Sequence, residues 1–413
     1  MQKTYIHNGT VIDGNGGAPI KDGAVLIEGN QIIAVGAAVD TPAPDDAERI
    51  DAGGGAILPG LIDTHVHMLL EYTSPYHMMQ KPFSLRFYES VNYMRRTLEA
   101  GITTARDAGG ADVGLKVAQR DGVIVGPRLL IATAGLSITG GHSDGWMPSG
   151  LDYPFFPTYP GMPDSIVDGV DAVRQRVREV LRAGADVIKI MATGGVLSPN
   201  DHPDFIGFSQ SELEAIVEEG RNRGGVKVMA HAQGLEGIKM AVRAGIHSIE
   251  HGIYLDDESC DLMIEHGAFL VPTLIAPVAV VETAKASGSI PEYSLRKALD
   301  SIEAHKQSIS LAVKRGVQIA MGTDAGVMAH GTNLRELGLM MACGMSAMDV
   351  IVASTRTAAE CIERADTLGT LEAGKLADII ITRTDPLADI TTLEDTDNIT
   401  VVMQDGIVYK NLT

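Results

Sequence analysis

Cysteine is scarce, with three residues, Cys260, Cys343 and Cys361, among 413. They form no C-x-x-C pair, and an odd number spread through so long a chain describes no disulfide framework, so they read as free packing thiols. Basic residues are also short, 33 Lys plus Arg against 53 Asp plus Glu, for a formal charge of −20. A nucleic-acid binder needs a basic face that this balance does not favour. No apolar run reaches the ~18 residues of a membrane-spanning helix. Residues 1–36 alternate strand-like patches with glycine-rich turns, where a signal peptide would place a charged and then an apolar region. The chain as written is therefore expected to be soluble and cytoplasmic, without a nucleic-acid or membrane partner; a trimmed secretory leader would leave the same sequence. Gly14-Asn15-Gly16-Gly17 and Gly53-Gly54-Gly55 lack the spacing and strand-to-helix context of a dinucleotide loop, and no Walker-type lysine motif occurs. What is present is 45% hydrophobic and 21% charged, a globular balance with ample material for a core.

Short β-like runs open the chain at 4–6, 23–27 and 31–35, separated by Asn-Gly and Gly-Asn turns. Similar runs close it at 377–381, 399–403 and 407–409. The two ends are expected to pair into a small β-sandwich domain of 1–57 and 371–413. Between them one phrase recurs six times with variations: an amphipathic helix ending in a charged residue, a small residue and glycine, followed at once by a β-branched strand. Its glycines are Gly101, Gly184, Gly224, Gly245, Gly267 and Gly316, each where a helix closes in a left-handed conformation. Before Gly184, Ile166, Val170, Val173, Val177 and Leu181 are spaced to form one apolar stripe. Ser209-x-x-Glu212 has the form of a capping box. Helices alternating so regularly with short apolar strands predict a parallel sheet, because parallel strands need crossover connections. The expected fold is α/β, a (β/α)8 TIM barrel over 58–370.

Following each strand to its polar end yields Asp107, Lys189, His231, His251, Thr273 and Asp324, which a barrel would collect on its catalytic face. The strand at 56–64 runs into His65-Val66-His67, and residues two apart on a strand point the same way, so both imidazoles can face one ion. Four histidines and an aspartate at successive strand ends predict a metal site. Lys189 lies among apolar residues, where an ammonium is costly. It either pairs with an acid such as Asp107, or has a depressed pKa and adds carbon dioxide to become a carbamate. His142, in a glycine-rich loop after the strand at 128–133, is assigned to substrate binding or oxyanion support, the alternative being an exposed loop histidine. His330 is a weaker substrate contact, with loop packing as its alternative. The aromatic and proline-rich segments 74–87 and 146–163 are expected to wall the site, which points to a bulky or apolar substrate.

At these residues the chain resembles the amidohydrolase superfamily, in its binuclear-metal branch, over nearly its whole length. Leu58-Pro59-Gly60-Leu61-Ile62-Asp63-Thr64-His65 and Gly374-Lys375-Leu376-Ala377-Asp378-Ile379 are similar to family signatures. The resemblance implies two Zn²⁺ ions, one on His65, His67 and Asp324 and one on His231 and His251, bridged by N6-carboxylated Lys189 and a hydroxide. Asp324 would then pass the proton of the attacking hydroxide to the leaving nitrogen. The phrases Lys189-Ile190-Met191-Ala192-Thr193-Gly194-Gly195-Val196, Ser248-Ile249-Glu250-His251-Gly252 and Gly140-Gly141-His142 resemble the Xaa-Pro dipeptidase and carboxypeptidase-like subgroup. That subgroup also resembles imidazolonepropionases and includes ochratoxin-hydrolysing amidases. It implies cleavage of the amide to a C-terminal amino acid in dipeptides or N-acyl amino acids, with proline or phenylalanine leaving. His142, Val196 and His330 would contact substrate, and a homo-oligomer is expected. The alternatives are a one-metal deaminase or imidazolone hydrolase, a lactone or cyclic-amide hydrolase, and a noncatalytic scaffold. Family deaminases carry a glutamate three residues after the strand-five histidine, where this chain has Gly234.

Overall fold

The computed structural model describes residues 2–71, 75–147 and 149–413. Ser74 and Pro148, within the two expected wall segments, therefore lie outside the described residues. The N-terminal turns fold the chain into β1 (Lys3–Val11), β2 (Ile20–Glu28), β3 (Gln31–Ala37), β4 (Glu48–Asp51) and β5 (Ala56–Pro59). The central strands are β6 (Leu61–Val66), β7 (Ile102–Asp107), β8 (Arg128–Ile131), β9 (Gly135–Leu136), β10 (Ile188–Met191), β11 (Val228–Ala232), β12 (Ser248–His251) and β13 (Phe269–Val271). The C-terminus adds β14 (Ile379–Thr382), β15 (Ile399–Gln404) and β16 (Ile407–Asn411).

Both ends of the chain do share a sheet, mixed and eight-stranded, in the order β16-β15-β14-β5-β1-β2-β3 with β4 on β1. The cause is β5, which pairs parallel with β1 and antiparallel with β14 and so makes the ladder continuous. Ile6, Val25, Ile57, Ile379 and Val401 bury a common core there. β5 runs across the position between residues 57 and 58, and the chain changes sheet at Gly60. A Cβ at Gly60 would lie 2.2 Å from Thr103 Oγ1, so the crossing requires glycine.

The central strands form two parallel sheets, β6-β7-β8 and β9-β10-β11-β12-β13, rather than one uninterrupted closed ladder. At one seam Thr133, between β8 and β9, has φ +60°, which interrupts the strand. A backbone bond still crosses it, Asp186 N–H to Ile131 O at 2.7 Å. At the other seam the segment 317–325 bonds to both sides, Ala320 N–H to Leu270 O and Asp324 N–H to His65 O at 2.9 and 2.8 Å. It makes only isolated bridges, Ile319 with Leu270 and Ala325 with Val66, because Asp324 turns out of the extended region with φ +62°.

The six glycines of the recurring phrase have φ between 64° and 96°, the left-handed closure expected of them. The helix before Gly184 spans Val170–Arg182 and buries Val173, Val177 and Val180. Ile166 falls outside it and bridges to Ser137 instead, because Gly169, at φ +86°, stops the helix from extending towards it. The capping box at Ser209 and Glu212 is formed. All three cysteines are free and buried. Among the described residues no helix is long and apolar enough to cross a membrane.

Candidate metal centre

The strand ends bring His65 from β6, His67 just past it, Lys189 from β10, His231 from β11, His251 from β12 and Asp324 to one open cavity. His65, His251 and Asp324 form its tightest cluster, each offering a ligand atom within 4.8 Å of the others. His67 joins through Asp324, whose Oδ1 lies 3.1 Å from His67 Nε2 and 3.4 Å from His65 Nε2. The His231 ring stands 4.6 Å from that of His251. His251, Thr273 and Asp324 have φ of 75°, 50° and 62°. Each left-handed non-glycine residue stores roughly 1–3 kcal/mol, and such residues cluster at functional sites.

Burial holds His65, His231 and His251 well below the usual imidazole range, so they are neutral and keep lone pairs for an ion. Burial would raise the Asp324 carboxyl, but His65, His67 and Lys189 outweigh it and hold it below the ordinary value. Lys189 is 1% exposed. Its burial pushes the ammonium down from 10.5 to about 8 against the pull of Glu250 and Asp324. The ion pair with Asp107 does not form, because Asp107 is occupied by the backbone N–H groups of Met68, Gly109 and Ala111 at 2.6, 2.9 and 3.1 Å.

The imidazoles are held from behind. His65 Nδ1 donates to Glu250 Oε2 at 2.7 Å, and Glu250 also accepts from Arg106 at 3.0 Å and Ser248 Oγ at 2.6 Å. His67 Nδ1 donates to Gly109 O and His251 Nδ1 bonds Thr273 Oγ1, both at 2.7 Å. These contacts leave the Nε2 atoms for the cavity, the arrangement in which an outer partner fixes the tautomer of a ligating histidine. His231 is reversed, its Nε2 donating to Gly194 O at 3.1 Å. Sequence reading assigned nothing to Arg106 and Glu250, although each directly precedes a strand-end polar residue and both are buried. Glu250→Gln would leave the Arg106 charge without its counter-ion and loosen His65. Affinity for Zn²⁺ should fall 10- to 100-fold, with about 3 kcal/mol of stability lost. Calorimetric titration and urea unfolding of the metal-free protein measure the two effects, and unchanged affinity would remove Glu250 from the support of His65.

His142 also reaches the cavity. Its ring stacks on His231 with centroids 4.1 Å apart, and its Nδ1 lies 2.8 Å from Ser198 Oγ and 3.4 Å from Asp201 Oδ2. Ser198 donates onward to Asp201. Burial would raise Asp201, but hydrogen bonds from His142 and Ser198 and the charge of Lys297 take it to about 2. Lys297 Nζ ties down the carbonyls of Gly195, Ser198 and Asp201 at 2.8, 2.9 and 2.6 Å. Gly195 must be small, since a Cβ there would meet His142 Cε1 at 2.3 Å. No local signal marks Ser198, Asp201 or Lys297, which meet only in three dimensions.

Val196 lines the cavity. His330 is not part of that lining; its Nε2 donates to Leu70 O at 2.9 Å and its ring stacks on Tyr93 at 4.8 Å, contacts that describe loop packing. The two aromatic segments meet, Tyr159 lying 5.1 Å from Phe83 and 5.8 Å from Phe87 between ring centroids. Phe155 and Phe156 of the second segment face the cavity.

The Amidohydrolase family profile matches residues 56–408. An ochratoxinase from Aspergillus niger is 33% identical over 98% of this chain and 86% of its own length. Its crystal structure superposes with a TM-score of 0.87 over 99% of this chain and 96% of that one. A Xaa-Pro dipeptidase with bound methionine in its active site is 36% identical, with a TM-score of 0.89 over 99% of this chain and 100% of that one.

Proposed function

The chain belongs to the amidohydrolase family, in its ochratoxinase-like subgroup, and from that premise we propose that it is a zinc-dependent hydrolase cleaving the amide to a C-terminal amino acid. The observation that carries this reading is the convergence on one cavity of His65, His67, His231, His251, Asp324 and Lys189, whose amine makes no hydrogen bond or ion pair to a carboxylate among the described residues. Imidazoles, of which burial keeps those of His65, His231 and His251 neutral, beside an anionic carboxylate form the nitrogen and oxygen donor set that suits zinc. His65, His67 and Asp324 would hold one ion and His231 and His251 a second, with the Lys189 carbamate between them. When bound, such ions polarise a carbonyl and supply water ionised at neutral pH.

The remaining steps belong to the protein. The Asp324 carboxylate takes the proton of the attacking water and returns it to the leaving nitrogen, which cannot depart as an anion. His142, braced by Ser198 and Asp201, turns its other ring nitrogen to the scissile carbonyl. Val196, Phe155 and Phe156 provide an apolar wall for a bulky group. We read the two parallel sheets as arcs of one (β/α)8 ring spanning 58–370, with the terminal sheet of 1–57 and 371–413 as the second domain. The ligand-bearing strand ends then share the catalytic face. Gly234 in the deaminase glutamate position, together with Lys189, sets a one-metal deaminase second.

Mass-spectrometric detection of amino acids released from dipeptides and N-acyl amino acids, ochratoxin A included, tests this reading. Release should stop with a chelator and return with Zn²⁺. No release from any member by metal-loaded protein would redirect the assignment to lactones and cyclic amides.

A further inference from the structure

Gln233 stands two residues beyond His231, just past the end of β11, and lines the same cavity. Its backbone is pinned on both sides. The N–H donates to Thr193 Oγ1 at 2.9 Å, and the carbonyl accepts from Tyr254 N–H at 3.0 Å. The residue is 5% exposed, yet its side-chain Oε1 has no hydrogen-bond partner among the described residues. A buried carbonyl without a donor is costly, and native proteins rarely leave one without a reason. Two other polar atoms of the same region are engaged elsewhere, His251 Nδ1 with Thr273 Oγ1 and Thr193 Oγ1 with Gln233's own backbone N–H. A substrate entering the cavity that Gln233 lines can bring the donor that the protein does not supply.

We propose that Gln233 Oε1 accepts the N–H of the substrate's scissile amide, so that the site selects secondary amides over the tertiary amides of proline. A secondary amide, such as one releasing phenylalanine, has the N–H that this acceptor needs. An amide to proline has none, and would leave the Gln233 carbonyl unpaired in the complex as well. A site built around a hydrogen bond discriminates against the analogue that lacks it, because the buried partner is then stranded. The assignment rests on the amide-hydrolase reading and names its substrate class.

The test compares an N-acylphenylalanine with its N-methyl analogue, which differs in the amide N–H, on metal-loaded wild-type protein and Gln233→Met. Wild-type kcat/KM should favour the secondary amide, and the ratio between the two should fall about tenfold in Gln233→Met. Taking the ratio cancels their intrinsic reactivities. Dissociation constants for the same pair, measured in an Asp324→Asn background with and without Gln233→Met, should show the same loss of discrimination without turnover. The Tm of Gln233→Met without substrate should be unchanged or higher, since methionine removes an unpaired buried carbonyl. A Tm lowered by several degrees, or a loss shared equally by both amides, would overturn the assignment. Gln233-dependent discrimination in binding, with no amino acid released by metal-loaded wild-type protein, would sink the hydrolase reading and leave Gln233 only as the acceptor of an amide N–H in a bound ligand.

Discussion

Asp324→Asn should lower kcat by about 10³-fold with little change in KM, within the range that general acid–base catalysis supplies. Asp324 Oδ1 sits 3.1 Å and 3.4 Å from the Nε2 atoms of His67 and His65, and its carboxyl is held in the anionic form. It is therefore a base placed among the residues that would hold the metal. Asparagine keeps the shape and an acceptor oxygen but cannot carry the proton to the leaving nitrogen. It is also the right replacement for the backbone, because φ is +62° there and asparagine tolerates the left-handed region better than most residues. Metal content by emission spectrometry should show that ions are still bound. A kcat within tenfold of wild type in metal-loaded Asp324→Asn would take Asp324 out of proton transfer.

Lys189→Ala should be nearly as severe, with kcat/KM down about 10³-fold, the several kcal/mol that a metal-supported transition state stands to lose. The physical case starts from burial, which lowers the amine to about 8, so about a tenth is uncharged at pH 7. The free amine attacks carbon dioxide, forming an N–C bond and releasing a proton, and the product is a carboxylate. Its negative charge resolves the problem of a cation buried beside ligands that would themselves hold cations. Two results separate this from a structural lysine. Added acetate should restore part of the activity of Lys189→Ala, and wild-type protein equilibrated with ¹³C-bicarbonate should show a carbamate resonance that the variant lacks. Full activity in Lys189→Ala, or a wild-type protein with bound ions and no carbamate signal, would return Lys189 to a purely packing role.

The strand-end donors that share the cavity were legible because their signals are local. A glycine closing each helix announces the next short apolar strand, and following that strand towards its end reaches Lys189, His231 or His251. His65 and His67 declared themselves by spacing alone. Glu250 and Arg106 were overlooked although they adjoin those positions, since a charge inside a strand gains meaning only from its partner, and this pair is 144 residues apart in the chain. His330 carried the same composition signal as His142, and only the neighbouring rings separate them: Tyr93 beneath one and His231 beneath the other.

The sequence by itself determined the α/β class, the pairing of the two termini, the strand-end donors and the glycine closures, all set by interactions within a few residues of the chain. The tertiary structure decided that the termini form one sheet through β5, that Asp107 serves backbone amides and not Lys189, and that Lys297 and Asp201 brace His142. It also decided that Gln233 is buried without a partner. Each of these depends on which distant segments pack together and which polar groups are left over after packing, and neither periodicity nor composition contains that information.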